Sequence, residues 1–244
     1  MPQQKTSSLK TYFDELEETN GDDECKAWLS RAFDSRAELA VFVGRREGGG
    51  TGTYVGFLKG SFNISFRFSF DGQPDVIIRF PKPGHTATAY RDEKVMNDVQ
   101  IMEYLRQNTD IPIPRVHSWG LITESPQHLG PFIIMDYVDG ILLSTILKQP
   151  DQENMVLNPN IDNTILDKIY YQIAYYIFQL SQLTFASIGA ISKDHTLATI
   201  AGYPNSQFPT APFDRASDYL RSVANEYLIH LWTQRNLTDD TEIA

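Results

Sequence analysis

The clearest pattern in the chain is a strict alternation of large apolar and small or polar residues in "NISFRFSF", residues 63–70. A period of two places alternate side chains on one face of a β-strand. The next residues, "FDGQPD", contain Asp71-Gly72, a pair suited to a tight turn, and Pro74, which we expect to end the ladder. "VIIRF" then predicts a second, antiparallel strand. The apolar face of the first strand consists of Ile64, Phe66, Phe68 and Phe70.

Helical spacing is strongest in "RDEKVMNDVQIMEYLRQN", residues 91–108, where apolar residues recur at three and four. The segment predicts a helix of four to five turns, ended by the following "TDIPIP". Residues 8–46 carry similar spacing and predict one or two helices before the Gly-rich "EGGGTG". Two further extended segments are expected around "RVHSWGLI" and "PFIIMDYV".

After residue 140 the patterns are helical only, in "ILLSTILKQ", "NTILDKIYYQIAYYIFQLSQL" and "RASDYLRSVANEYLIHLWTQRN". For the second of these we expect Asn163 or Thr164 as N-cap. A sheet with one helix followed by helices alone indicates an α+β fold rather than alternating βαβ units. The stripe that we expect this long helix to bury consists of Ile165, Ile169, Ile173, Tyr176 and Leu180.

Composition narrows the classes of function. The 244 residues, 41% of them hydrophobic, suffice for a sizeable core, and the formal net charge is −10. Such a charge repels a phosphate backbone, so we expect no nucleic-acid partner. The acidic run within residues 14–24 is most simply a solvated helix face.

Cysteine content and hydropathy point to an ordinary soluble protein. The single cysteine, Cys25, rules out an intramolecular disulfide and a multi-cysteine metal site, and we expect it to be packed in a helix. The first residues, "MPQQKTSSLK", lack an apolar core, and no run approaches the roughly 20 apolar residues of a membrane span. We therefore expect a cytoplasmic protein without a membrane partner.

One charged pair stands out against these apolar patterns. Arg79 interrupts the strand "VIIRF", and Asp98 shares the apolar stripe of the helix at residues 91–108. A carboxylate on that stripe needs a cation, because burying it unpaired costs several kcal/mol. Spacing alone leaves open whether the two groups pair for structure only, meet water, or bind a ligand. The residues that define the stripe are Val95, Val99, Met102 and Leu105.

The positions of two glycines favour the third alternative, in which the charged pair binds a ligand. Gly56 and Gly60 flank the end of the strand that precedes "NISFRFSF", and "GSFN" forms the turn between the two strands. A turn without Cβ atoms lets backbone N–H groups approach an anion closely. A glycine hairpin, a strand cation and a helix carboxylate behind it are the parts that hold a nucleoside triphosphate.

Four segments in order, "GSFNISFRF", "VIIRFP", "DVQIMEYLRQNTDIPIPRV" and "GPFIIMDYVDG", resemble the fungal branch of the aminoglycoside phosphotransferase and choline kinase-like family. The resemblance covers roughly residues 53–190 and implies a protein-kinase-like fold. It implies a nucleotide-binding lobe with an antiparallel sheet and one helix over 47–140 and the start of a helical lobe over 141–244, while the helical spacing before it predicts a helical extension over 1–46.

The resemblance also implies roles for individual residues at the phosphate end. Arg79 matches the third-strand cation that contacts the α- and β-phosphates. Asp98 lies where the family has a glutamate that holds this cation, but it is one methylene shorter, and Glu93 is the alternative partner. The hairpin over the phosphates matches Gly60, Ser61, Phe62 and Asn63.

At the other end, "MDYV" matches the segment that joins the two lobes in the family. The resemblance implies that Met135 backs the adenine pocket, that the Asp136 carbonyl accepts from the adenine amino group, and that the Val138 N–H donates to the ring.

The family's catalytic loop, His-Gly-Asp with an asparagine five residues later, follows none of the histidines at 85, 117, 128, 195 and 230. The closing "TQRNLTDDTEIA" resembles the stretch that precedes this loop, so we expect the chain to stop before its catalytic residues, and we assign none. Mg²⁺ is expected only in a complete relative. Helix faces near residues 165–180 and 219–232 should then expose apolar side chains.

The resemblance therefore implies the ATP-binding portion of a small-molecule phosphotransferase that is catalytically incomplete in this chain. Its partners would be a nucleotide and an unidentified acceptor with a hydroxyl group. The alternative is a non-catalytic kinase-like protein that uses the same lobe for binding or regulation.

Overall fold

The computed structural model describes residues 15–86, 88–150, 156–189, 209 and 211–233. Its fold is α+β, as predicted from the segregation of strands and helices. The helices are α1 (Glu15–Asp34), α2 (Arg36–Arg46), α3 (Arg91–Asn108), α4 (Leu143–Leu147), α5 (Asn163–Ser181) and α6 (Ala216–Thr233). The strands are β1 (Thr53–Lys59), β2 (Asn63–Phe70), β3 (Gln73–Pro81), β4 (Val116–Gly120) and β5 (Phe132–Asp136).

The five strands form one antiparallel sheet in the order β1-β2-β3-β5-β4. Arg79 in the centre of the sheet is paired with Ser65 on β2 and with Ile133 on β5. In sequence, α3 lies between β3 and β4, and it contacts both of these strands and β5. The connection from β3 to β4 therefore places α3 against one face of the sheet.

The opposite face of the sheet carries the main core and is covered by α1 and α2. On β2 the predicted alternation is confirmed, since Ile64, Phe66 and Phe68 are fully buried and Phe70 is partly buried. Trp28 of α1 packs among these rings and donates from Nε1 to the Leu129 carbonyl oxygen at 2.5 Å. Each buried phenylalanine contributes about 1.5–3 kcal/mol. Thus α1 and α2 share one core with the sheet, and Cys25 lies buried within it, as expected.

A smaller core lies between α3 and the face that carries Arg79. Val95 and Val99 of α3 are buried against Ile77, Ile133 and Met135 of the sheet. The helix has the predicted bounds. It ends at Asn108 because the next residue, Thr109, has an extended backbone conformation. This small core fixes α3 over β3 and β5.

Two acidic residues of α1 bond residues of another part of the chain, whereas the run at residues 14–24 was predicted as a solvated helix face. Asp22 bonds His85 at 3.0 Å, and Glu24 bonds Arg91 at 2.6 Å. The bond from His85 is the largest cause of a lowered pKa at Asp22. The reason for the difference is tertiary, since the basic loop after β3 lies against α1, where Gly21 and Gly84 are in close contact.

Of three local predictions about the strands, the structure confirms one and contradicts two. The Asp71-Gly72 turn forms, with Gly72 at φ +71°. Pro74 lies inside β3 and does not end it, because the β2–β3 register shifts beside it and an irregular position tolerates a missing N–H. Gly56 likewise lies within β1, at a register shift opposite Arg67, and not at the strand's end.

The helices after residue 140 differ from expectation in detail. The N-cap of α5 is Asp162, whose carboxylate accepts from the Thr164 N–H at 2.6 Å, and not Asn163 or Thr164. An aspartate one position earlier competes for the same amide.

The predicted buried stripe of α5 was wrong for three of its five members. Ile165, Ile173 and Leu180 are each more than 40% exposed, and only Ile169 and Tyr176 are half-buried. The physical reason is that an apolar stripe becomes buried only where another element faces it. Within the described residues, α5 is held mainly at its C-terminal end, where Gln179 accepts from the Asp110 N–H at 2.6 Å.

The expected exposure of apolar side chains near residues 165–180 and 219–232 is confirmed among the residues that the structure describes. On α5, Ile177 and Phe178 are each 60% exposed, and on α6 Leu220 is 63% and Trp232 is 82% exposed. No helix in the described part of the chain is long and apolar enough to cross a membrane.

Candidate functional site

The site centres on a hydrogen-bonded ion pair between the sheet and α3. Arg79 Nη2 lies 2.7 Å from Asp98 Oδ2, and the two side chains are 21% and 28% exposed. Glu93, the alternative partner, forms no ion pair with Arg79 in the described part of the chain, and burial raises the pKa of its carboxyl group. The shorter aspartate therefore reaches the strand cation.

A second cation, which the sequence reasoning missed, shares the same carboxylate oxygen. Lys94 Nζ lies 2.8 Å from Asp98 Oδ2, and its side chain is 21% exposed. The signal was present in the sequence, because a lysine and an aspartate four residues apart meet on a helix surface. One carboxylate now faces two cations, which leaves a formal excess of one positive charge in a half-buried place.

The β1–β2 hairpin lies at the same end of the sheet. Its tip is closed by the Gly60 N–H, which donates to the Asn63 carbonyl oxygen at 2.9 Å, and the Phe62 carbonyl oxygen accepts from the Lys82 N–H at 2.8 Å. Asn63 is paired with Pro81, two residues beyond Arg79 on β3. The tip is therefore anchored to the end of the strand that carries the cation.

The side chains of the hairpin tip differ in their surroundings. Ser61 and Phe62 face solvent, and Phe62 is 55% exposed. Asn63 is half-buried, and its Oδ1 atom is buried without a hydrogen-bond partner in the described part of the chain. A Cβ atom at Gly60 would lie 3.2 Å from the Asn63 carbonyl oxygen, so the turn leaves little room for a larger residue.

Next to the cations, the same face of the sheet is apolar. Cross-strand pairing and alternation place Leu58 beside Ser65, Ser65 beside Arg79, and Ile77 beside Met135. Ile77 and Met135 are buried, whereas Leu58 on β1 is 49% exposed. An apolar strip thus runs from the cationic pair towards the end of β5.

The segment after β5 is fixed from both sides. The Asp136 N–H donates to the Arg115 carbonyl oxygen at 3.1 Å, and the Tyr137 N–H donates to the Asp75 carbonyl oxygen on β3 at 3.0 Å. Val138, the next predicted site residue, is 65% exposed. Met135, Asp136 and Val138 therefore lie at the opposite end of the site face from the hairpin tip.

Two side-chain clusters that sequence reasoning missed hold this segment. His117 Nδ1 lies 2.7 Å from Glu47 Oε2, and its Nε2 lies 2.7 Å from Asp136 Oδ1. Burial is the largest influence on Asp136 and raises its pKa, but the bonds from His117 and the Arg115 N–H together lower that pKa below its ordinary value. No local pattern could reveal these contacts, because their partners lie far apart in sequence.

The second cluster lies on the site face. The Arg67 guanidinium bonds Asp75 Oδ2 at 2.5 Å and stacks on the Tyr137 ring, with its central carbon 3.7 Å from the ring centroid. A cation–π contact of this kind is worth about 0.5–2 kcal/mol. It fixes the residue between Asp136 and Val138.

No family model, curated protein or solved structure matches this chain. Among the described residues, no group of three or more His, Cys, Asp or Glu side chains is placed to hold a metal ion. What the geometry offers is a half-buried excess positive charge, a tight hairpin beside it and an apolar strip behind it. That combination suits an anion with a flat apolar portion.

Proposed function

We propose that this chain binds ATP on the sheet face that carries Arg79, as the nucleotide-binding part of a small-molecule phosphotransferase with a protein-kinase-like fold. The observation that carries the proposal is the single Asp98 carboxylate shared by Arg79 and Lys94. A phosphate group would neutralise the excess charge, and charge-assisted hydrogen bonds to it would be about twice as strong as neutral ones.

The fold supports the kinase-like assignment. Among the described residues, the one α-helix between strands of the five-stranded antiparallel sheet lies between β3 and β4, and it supplies the carboxylate that holds the β3 cation. Kinase-like sites use such a lysine or arginine on the third strand to contact phosphates. Here Arg79 is in that position, with Gly60, Ser61, Phe62 and Asn63 at the adjacent hairpin.

For the base, the proposed place is the apolar strip that ends at Met135. Ile77 and Met135, which are buried against α3, would form the back of the base site, while the Asp136 carbonyl and the Val138 N–H would make the polar contacts of the base. The Arg67–Tyr137 stack and the His117 contacts support this assignment, since they hold the backbone of that segment in one conformation. Pre-ordering reduces the entropy lost on binding.

The proposal concerns binding, and we assign no residue to the transfer step or to Mg²⁺. Transfer of the γ-phosphoryl group to the hydroxyl of a small molecule is the reaction class that the sequence resemblance implies.

Isothermal titration of the purified chain with ATP tests the proposal. We expect binding in the wild type and an increase in Kd of roughly 10-fold or more in Arg79→Met, because a hydrogen bond to a charged group contributes about 1.5–3 kcal/mol. Lys26→Met is the matched control, since its side chain is 74% exposed on α1, which packs on the other face of the sheet. Absence of ATP binding, or equal affinity in Arg79→Met, would overturn the proposal.

A second candidate is a non-catalytic kinase-like protein that binds or regulates a partner, which the exposed apolar side chains of α5 and α6 favour. Thermal unfolding with and without ATP separates the two. A ligand at 100 times its Kd adds about 2.7 kcal/mol, enough to raise Tm by several degrees in a domain of this size. A flat response to ATP together with a stable protein complex would favour the second candidate.

A further inference from the structure

The other acids at the start of α3 form no ion pair with Arg79 or Lys94 among the described residues, where Asp98 is the carboxylate that both cations contact. Asp92 Oδ1 accepts from the Ile122 N–H at 3.3 Å, and burial raises the pKa of Glu93. Arg79, Lys94 and Asp98 are all less than a third exposed, so solvent screens their charges less than it screens surface pairs. In a chain of net charge −10, this is a local reversal of sign.

The course of the chain places Lys94 at the phosphate end of the site. β3 runs from Val76, which pairs with Asp136, to Pro81, which pairs with Asn63 of the hairpin tip. α3 begins after that end, and residues 109–115 lead from its C-terminus to β4, whose first residue pairs with Met135. The helix therefore runs back from the hairpin end towards the base end.

Lys94 lies one turn before Asp98 on this helix, so its Cα is about 6 Å farther along the helix axis from the base end, at a rise of 1.5 Å per residue. Arg79 and Lys94 meet at Asp98 Oδ2 from two different elements, the strand and the helix. The Lys94 side chain therefore approaches Asp98 Oδ2 from the hairpin side of the helix, and its ammonium group meets the Arg79 guanidinium at that oxygen.

We propose that Lys94 makes this site selective for a nucleoside triphosphate over a diphosphate, by contacting the phosphate farthest from the base. The inference rests on the proposed function, since it requires that a nucleotide occupies this face. With ATP bound, Arg79 would contact the phosphates nearer the base, and the terminal phosphate would take the second charge that Asp98 leaves uncompensated. ADP lacks the group that Lys94 would contact.

The test is a set of titrations with ATP, ADP and AMP in EDTA, where no divalent ion screens the phosphates. We expect the wild type to bind ATP roughly 10-fold more tightly than ADP, as befits one further charge-assisted contact. In Lys94→Gln we expect ATP affinity to fall to that of ADP, with ADP affinity changed less than about twofold. Lys94→Arg should retain the preference, and Lys26→Gln should behave as wild type.

The outcomes separate the inference from the function on which it rests. If the wild type binds no nucleotide, the proposed function fails and the inference fails with it. If the wild type binds ATP and ADP equally, or if Lys94→Gln weakens both to the same extent, nucleotide binding stands and the selectivity role of Lys94 is overturned. An equal loss would mean that Lys94 only positions Arg79 through Asp98.

Discussion

Arg79 on β3 and Asp98 on α3 form a hydrogen-bonded ion pair, with Nη2 2.7 Å from Oδ2, across the interface between sheet and helix. The pair joins elements that otherwise share only a small apolar core. Removal of Asp98 would leave two half-buried cations that solvent compensates incompletely, whereas removal of Arg79 would leave Asp98 paired with Lys94.

We expect a measurable coupling energy for this pair. A double-mutant cycle of Arg79→Met and Asp98→Asn, followed by urea denaturation, should give a coupling of about 1–3 kcal/mol. The matched control is the exposed pair Lys26–Asp23, with side chains 74% and 69% exposed, for which coupling should stay below about 1 kcal/mol. Equal couplings in the two cycles would contradict a stronger interaction in the half-buried pair than in the exposed one.

The contact between α1 and the loop after β3 should depend on Gly84. This residue has φ +74°, and a Cβ atom there would overlap the Gly21 carbonyl group. Gly84→Ala should therefore lower the free energy of unfolding by more than Gly72→Ala, which has φ +71° but no atom within 4 Å of the added Cβ.

The backbone conformation alone accounts for about 1–2 kcal/mol in both of these variants. Chemical denaturation measures the excess in Gly84→Ala, which reports the steric contact with α1. If the two variants lose equal stability, the close contact between Gly84 and Gly21 of α1 does not contribute to the loss.

Asp136 should contribute to the pH dependence of stability. Its pKa is lowered in the folded state from the ordinary value of 3.8, despite the opposing effect of burial, by the bonds from His117 and the Arg115 N–H. A lowered folded pKa means that the group stabilises the fold above about pH 4, and that this stabilisation is lost as the pH falls through the folded pKa.

In Asp136→Asn, the acid side of the stability curve should therefore be shallower than in the wild type. Unfolding followed by circular dichroism between pH 3 and 6 checks this, at a protein concentration where the chain stays monodisperse. A curve parallel to that of the wild type would show that the pKa of Asp136 does not differ between the folded and unfolded states.

The exposed apolar side chains of α5 should limit solubility. Ile177 and Phe178 are each 60% exposed, and large apolar side chains exposed on one helix promote association. Ile177→Lys and Phe178→Lys together should give a more monodisperse species in light scattering, with Tm changed by only a few degrees. A large loss of Tm would instead show that these side chains are buried in the folded protein.

How much could be predicted depended on the range of the interactions involved. The alternation in "NISFRFSF" and the bounds of α3 followed from the sequence. Both depend on periods of two or 3.6 residues, and such periods are properties of the local chain. The sequence offered Arg79 and Asp98 as candidate partners but left their pairing open, and the structure shows it. Lys94 was missed although its spacing from Asp98 was visible, because a lysine on a charged helix surface carries no mark of a buried partner.

The remaining features involve residues distant along the chain. Trp28 meets the Leu129 carbonyl across 101 positions, and His117 joins Glu47 to Asp136. A hydrophobic stripe shows that a helix has an apolar face but not what covers it, which is why the stripe of α5 was predicted as buried. The sequence by itself determined the elements and the candidate cation. Tertiary packing alone decided which faces meet, since burial depends on partners that local spacing does not specify.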